Sequence, residues 1–253
     1  MMIATLKRMQ VRARRAGYVW AHGRLTGNGG VFRPHGIDVT VDERADLALR
    51  YLLARGRPYE APEARLIRAH VAPGTDVIEL GGCIGIVSAT IRDRIGPDAR
   101  HILVEANPDI APLALANATG PQPDRTELVQ AAVDYSGASH VRFARGHNQH
   151  VGHVARGDED GFDAPAVTLA NLAARLPGRF ALVSDIEGAE TAMIAAEVET
   201  LRRCDAVVLE VHPAVYGYGE AGVDAITETL ARAGLHRIER EQDVIAYGRA
   251  LDS

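Results

Sequence analysis

From Thr75 to Arg249 the chain repeats one pattern, a short apolar run followed by a longer segment of helical period. The runs are "TDVIEL", "HILVEA", "TELVQAAV", "FALVSDI" and "DAVVLEV"; "IGIVSATIRDRI", "DIAPLALANA" and residues 188–203 and 223–233 have helical spacing. Strands buried on both faces read as nearly continuous apolar runs, and their alternation with helices requires a largely parallel sheet covered on both sides. The last two runs, "HRIER" and "DVIAYGR", are separated only by the polar turn at Glu241-Gln242. They pair as a hairpin, so one strand runs against the rest. The expected fold is α/β and Rossmann-like: a mainly parallel seven-stranded sheet with one antiparallel strand, over residues 71–253, and a small N-terminal cap over residues 1–70.

The cap reads as a short basic helix over residues 3–16, then a small hairpin around Asn28-Gly29-Gly30. An amphipathic helix over residues 42–55 follows, with Asp42 near its start, and a second helix from Pro62 to His70 ends before Pro73-Gly74. Tyr18 and Trp20 are expected in packing. Residues 135–165 carry the least pattern and read as a long irregular loop, the kind that is functional or mobile in a compact domain.

Composition narrows the class. With 253 residues, 47% hydrophobic and 24% charged, an ordinary globular protein is expected. The two cysteines, Cys83 and Cys204, have no metal-site spacing, and no run approaches the roughly 20 apolar residues of a membrane span. The first twenty residues lack the apolar centre of a secretory signal, so a cytoplasmic protein is expected. The net charge of −5 hides an asymmetry, because no acidic residue precedes Asp38. Seven basic residues lie in that segment, leaving 21 basic and 33 acidic residues, a net of −12, in the remainder. The basic arm either packs on the acidic body or docks an anionic group or carrier; nucleic acid is not expected.

The apolar run "VIEL" breaks at "GGCIG" before its helix begins. In an open parallel sheet, ligands bind outside the carboxyl ends of the strands, where the strand order reverses. Gly81 and Gly82 permit close backbone approach to a ligand there, and Gly85 permits close packing of the helix. The next strand ends in Glu105, 20 positions after Gly85, a distance at which an acidic residue holds ribose hydroxyls. A dinucleotide would set its pyrophosphate on the helix N-terminus, where Glu79 would repel it, and the spacing is not G-x-G-x-x-G. A cationic sulfonium nucleoside would be attracted instead. The turn points to S-adenosyl-L-methionine rather than NAD.

"DVIELGGCIG", "HILVEANP", "VSDIEGAE" and "VVLEVHP" occur in that order, and together they resemble the FkbM-type S-adenosylmethionine-dependent methyltransferases over roughly residues 60–215. That family methylates hydroxyl groups, often on polyketides or sugars. The resemblance implies a hydroxyl acceptor and a cofactor site at Glu79, Gly81, Gly82, Cys83, Gly85, Glu105, Ala106, Ala132 and Asp185. The chain departs from the family's D-V-G-A-N-I-G loop at Glu79, Gly82 and Cys83, and from its pattern at Val183 and Ala170.

Asp185, Glu187 and Glu190 follow a strand end, where methyl transfer needs an aligned acceptor and a proton acceptor. Asp185 and Glu187 are the catalytic candidates, whereas Glu190 reads as a helix-start acid complementing the macrodipole. His212 in "LEVHP" is a candidate general base with a near-neutral unperturbed pKa, and Glu210 beside it faces the substrate. His147, His150 and His153 are spaced three apart, but Gly146 and Gly152 argue against a helix and hence a metal site; His147 and His150 read as substrate-loop residues. No metal is expected to be required. The rival readings are N-methylation of an amine or peptide, a catalytically silent nucleotide-binding partner module, and a nicotinamide oxidoreductase, which Glu79 disfavours.

Overall fold

A computed structural model of the protein describes residues 2–27, 30–120, 123–144, 152–155 and 159–250. The chain opens with helix α1 (Met2–Thr26), strands β1 (Val31–Phe32) and β2 (Val39–Thr40), and helices α2 (Leu47–Ala54) and α3 (Ala61–His70). The basic helix therefore runs ten residues past the expected end. It absorbs Tyr18 and Trp20, both exposed rather than packed: Trp20 lies under Arg24 and Tyr18 sits edge-on to Tyr51. The hairpin pairs Val31 with Thr40 and Phe32 with Val39 around a turn at Pro34–Gly36, not around Asn28-Gly29-Gly30. Helix α2 starts late because Asp46, not Asp42, accepts from the backbone of Leu49; Asp42 is turned back to Arg44.

The alternation follows: β3 (Asp76–Leu80), α4 (Ile86–Ile95), β4 (His101–Val104), α5 (Ala111–Thr119), β5 (Thr126–Val129). The segment read as a long loop contributes four short strands, β6 (Ala132–Val133), β7 (His140–Ala144), β8 (His153–Val154) and β9 (Gly161–Val167), before α6 (Leu169–Ala173). Then come β10 (Phe180–Ser184), α7 (Glu190–Ala196), α8 (Val198–Leu201), β11 (Cys204–Glu210), α9 (Glu220–Arg232), β12 (Leu235–Glu241) and β13 (Val244–Arg249).

Seven strands form one sheet in the order β12-β13-β11-β10-β3-β4-β5. Only β13 runs antiparallel to its neighbours, so the Rossmann-like α/β sheet with one reversed strand is as expected. Side chains alternate across the sheet. Val77, Ala181, Val208 and Ala246 face α3 and α4, while Ile78, Leu182, Leu209 and Ile245 face the other helical layer. Helix α3 packs directly on the sheet through Leu66 and Ile67, whereas β1, β2 and α2 pack on α4 and α5 through Phe32, Val39, Leu49 and Leu53. A second sheet, β6-β9-β7-β8, stands beside the carboxyl ends of β4 and β5. Among the described residues, no helix is long and apolar enough to cross a membrane.

The strand order reverses between β3 and β10, which places the crevice between their carboxyl ends. Gly85 begins α4 at φ 85°, and a Cβ there would lie 2.7 Å from the Ala114 carbonyl oxygen and 2.8 Å from Asn117 Cβ. The glycine is required by helix α5, not by a ligand. Gly85→Ala is expected to destabilise the fold by roughly 1–3 kcal/mol through backbone strain alone. Gly178→Ala, with open space around it, serves as the neutral control. Urea denaturation of both variants checks this, and equal midpoints would contradict it.

Candidate functional site

Beyond β3 the chain turns at Gly81, whose missing Cβ would fall on the carbonyl oxygen of Asp185 at the end of β10. The two strand ends are laced together by Asp185 N–H donating to the Leu80 carbonyl at 2.9 Å. A cavity of about 610 Å³ opens over this junction. Gly81, Cys83, Glu105, Ala106, Ala132, Asp185 and Glu187 line it, as the sequence leads one to expect. Gly82 and Gly85 do not; the first lies against the Leu103 side chain and the second against α5.

Glu105 is the clasp of this cavity. One oxygen accepts from Cys83 N–H at 2.7 Å and the other from Asn107 N–H at 2.7 Å, so it joins the glycine turn to the end of β4. Burial raises its pKa to about 7, against the pull of these backbone hydrogen bonds. A carboxylate has about four lone-pair sites, so it can still accept from a hydroxyl group.

Glu79 is placed otherwise than expected. One residue back along the strand, its side chain points to the α4 face, where it is buried and accepts from Ser88 Oγ at 2.9 Å and meets His101 Nε2 at 2.8 Å. It does not line the large cavity, so it cannot be what repels a pyrophosphate there. Ala132 lies not at the end of the third sheet strand but on β6 of the second sheet, and still reaches the cavity. The same sheet supplies Phe143 and Val154, which sequence reading missed. Phe143 belongs to an alternation of exposed and covered residues in "HVRFA" that is a legible strand signal.

On the far side of Asp185 lies an acidic cluster centred on His212. Its Nδ1 bonds Glu190 Oε1 at 3.0 Å, and its Nε2 lies 3.4 Å from Asp185, 3.5 Å from Glu187 and 3.9 Å from Glu210. Glu190 is fully buried and also accepts from Tyr216 OH, Ile186 N–H and Gly188 N–H, so it is both the helix-start acid and the anchor of His212. Burial opposes its charge, yet the His212 hydrogen bond wins and holds its pKa low. Burial lowers the pKa of His212, but the surrounding carboxylates outweigh it and raise it to about 9. Burial raises Asp185 to about 8 and Glu210 to about 9, with neighbouring acids adding to both. One oxygen each of Asp185 and Glu190 and one nitrogen of His212 lie within 4.8 Å of one another, a spacing a metal ion could bridge, but Glu190 is already saturated with donors.

The remaining histidine candidates separate. His153 is on β8, bonded to Glu159 at 3.0 Å, and His147 and His150 lie outside the described residues. Five non-glycine residues have positive φ among the described residues, and four of them, Glu60, Cys83, Glu187 and Gln242, line this crevice. Backbone strain is thus concentrated at the site.

The chain matches no family model, and no curated protein is significantly similar to it. Among solved structures, a protein of Corynebacterium glutamicum is 16% identical, covering 85% of this chain and 93% of its own, with a TM-score of 0.50. Fibrillarin of Aeropyrum pernix with natively bound S-adenosyl-L-methionine is 14% identical over 73% of this chain and 71% of its own, at 0.43. Magnesium protoporphyrin IX methyltransferase of Synechocystis, with bound cofactor, is 12% identical over 74% and 76%, also at 0.43. Likeness at these identities is likeness of fold.

The raised pKa values fix the sign of a pH effect. His212, Asp185 and Glu210 each bind a proton more tightly folded than unfolded, from 6.5 to about 9, 3.8 to about 8 and 4.5 to about 9 respectively. Within those windows the native state holds more protons, so stability falls as pH rises. The urea midpoint is expected to fall from about pH 6 to about pH 9, and Glu210→Gln to flatten that fall. A wild-type midpoint that climbs over this range would contradict the assignment.

Proposed function

We propose that the protein is an S-adenosyl-L-methionine-dependent methyltransferase acting on a hydroxyl of a small molecule, in line with the family its motifs resemble. The observation that carries the reading is the meeting, in one crevice, of a cavity clasped by Glu105 and a proton-accepting cluster at Asp185. The cavity suits the cofactor. Glu105 offers its remaining acceptor capacity to the ribose hydroxyls, and Ala106, Ile110, Ala132 and Val133 give apolar walls for the adenine. Gly81 and Asp185 both line the cavity and bound the place for the methionine end. A dinucleotide suits it less, because the Cys83 N–H that would help hold a pyrophosphate is already given to a carboxylate.

When bound, the cofactor supplies an electrophilic methyl group on a sulfonium. The chain's own part is alignment of the acceptor and removal of its proton. Asp185 borders both the cofactor cavity and the acidic cluster, and its raised pKa of about 8 suits a base working near neutrality. His212, held as an imidazolium between carboxylates, orients Asp185 and Glu187 and steadies their charge. Glu210 faces the acceptor. No metal is assigned, since Glu190 is fully engaged. A nucleotide-binding module without catalysis would have no use for the strained acid cluster.

Two outcomes test the reading. In calorimetry, S-adenosylhomocysteine is expected to bind at micromolar concentration and NAD not to bind. Glu105→Gln is expected to weaken binding by roughly 1.5–3 kcal/mol, the scale of hydrogen bonds to charged groups. NAD binding with no S-adenosylhomocysteine binding would overturn it. With an acceptor found by screening with labelled S-adenosyl-L-methionine, Asp185→Asn is expected to keep cofactor affinity and lose roughly 10²–10⁴ in kcat. An unchanged kcat with a lowered Tm would make Asp185 a structural residue.

A further inference from the structure

Further carboxylates gather on one side of Asp185. A narrow cavity lies there, walled by Val183, Val208 and Val244 and carrying Glu60, Glu63 and Glu210. It shares these acids with an outer groove of about 770 Å³, to which Tyr59, Glu187 and Asp243 are added. No lysine or arginine lines either space. Glu79 on the inner wall is satisfied by Ser88 and His101, and Asp243 stands 3.9 Å from Arg240. Glu60 and Glu63 have no cation within ion-pair reach among the described residues.

One polar atom on this surface is buried without a hydrogen-bond partner: Glu63 Oε2, in a residue 8% exposed. A polar group hidden from water without a partner is unfavourable, and native structures retain few of them. Glu63 lines the inner cavity. Further acids surround it, and the imidazolium of His212 beside them is held on Glu190.

We propose that this groove binds a protonated amine carried by the acceptor. This rests on the methyltransferase reading for the position of the methyl donor. An alkylammonium brings three N–H donors on a compact charge, which matches the orphaned Glu63 oxygen and the neighbouring carboxylates. Its methylenes match the valine walls. Magnesium matches less well, because it gives up its water reluctantly and the valine walls offer that water nothing. A protonated nitrogen has no lone pair, so the amine is the handle and the atom methylated is a separate hydroxyl at Asp185. Burial, and then the crowding of acids, pushes Glu60 and Glu210 upward, a penalty that a bound cation relieves.

The test is calorimetry of hexylamine, hexan-1-ol, hexanoate and Mg²⁺ against protein saturated with S-adenosylhomocysteine. Hexylamine is expected to bind roughly 10–100-fold more tightly than hexan-1-ol, the fold-change of hydrogen bonds to charged groups, and hexanoate not at all. Glu63→Gln and Asp243→Asn are each expected to weaken hexylamine while leaving the S-adenosylhomocysteine Kd within about twofold; Asp243 is exposed, so that variant keeps the test open should Glu63→Gln unfold. Equal binding of hexylamine and hexan-1-ol, displacement of hexylamine by Mg²⁺, or full amine affinity in folded variants would overturn the proposal. Hexylamine binding without any S-adenosylhomocysteine binding would support the cation groove and sink the methyltransferase reading.

Discussion

Strands β3 and β10 end so close together that no side chain fits between them. A Cβ at Gly81 would occupy the position of the Asp185 carbonyl oxygen, and the Asp185 N–H closes the seam on Leu80. Everything functional in this molecule depends on that contact. It brings the glycine turn and the acid-rich loop after β10 into a single crevice at the point where the sheet changes direction. Glu105 then ties the turn to β4, and the second sheet adds an apolar wall through Phe143 and Val154.

The charges around the crevice divide by how well they are satisfied. Glu190 is fully buried, yet four donors surround it, and it remains ionised because the His212 hydrogen bond outweighs desolvation. Glu79 is likewise closed off by Ser88 and His101. These are structural anions that hold loops and helices in register. Asp185, Glu210, Glu60 and Glu63 have fewer partners than lone pairs, and burial keeps the charged form of the first three unfavourable. A fold retains such groups where something other than the chain completes them.

The sheet was legible because its strands are buried on both faces, so their apolar runs need no alternation to be seen. The hairpin of β12 and β13 was legible because only two polar residues separate its strands. The small sheet was hidden: Gly161 and Pro165 interrupt β9, and a proline in a run argues against a strand when only one chain is read. The N-terminal helix was cut short by Gly17 and Gly23, which an exposed helix tolerates. At the site, Gly81, Glu105 and Asp185 could be found from their places at strand ends. Glu79 could not be placed, because a shift of one residue along a strand reverses its face. Glu60 and Glu63 lie far in sequence from the motifs, and only the packing of α3 on the sheet brings them to the crevice. The glycines stood out correctly, but Gly85 answers to a neighbouring helix and Gly81 to a neighbouring strand end rather than to a ligand.

The reversal of β13 has a geometric consequence. Five strands deliver their carboxyl ends to the crevice, and four of them then leave it through helices while β5 leads into the second sheet; β12 arrives there too, but turns back at once, since its successor runs the other way. The tip of that hairpin, Gln242 and Asp243, is therefore held over the outer groove by two strands and by nothing that touches the Glu105 cavity. A hairpin tip can be lengthened, shortened or recharged without disturbing the strands beneath it. One end of the crevice is thus built from the seam of the sheet and tolerates almost no change, while the opposite end hangs from a replaceable fingertip, so the range of molecules admitted can diverge among descendants of this fold while the chemistry beneath stays the same.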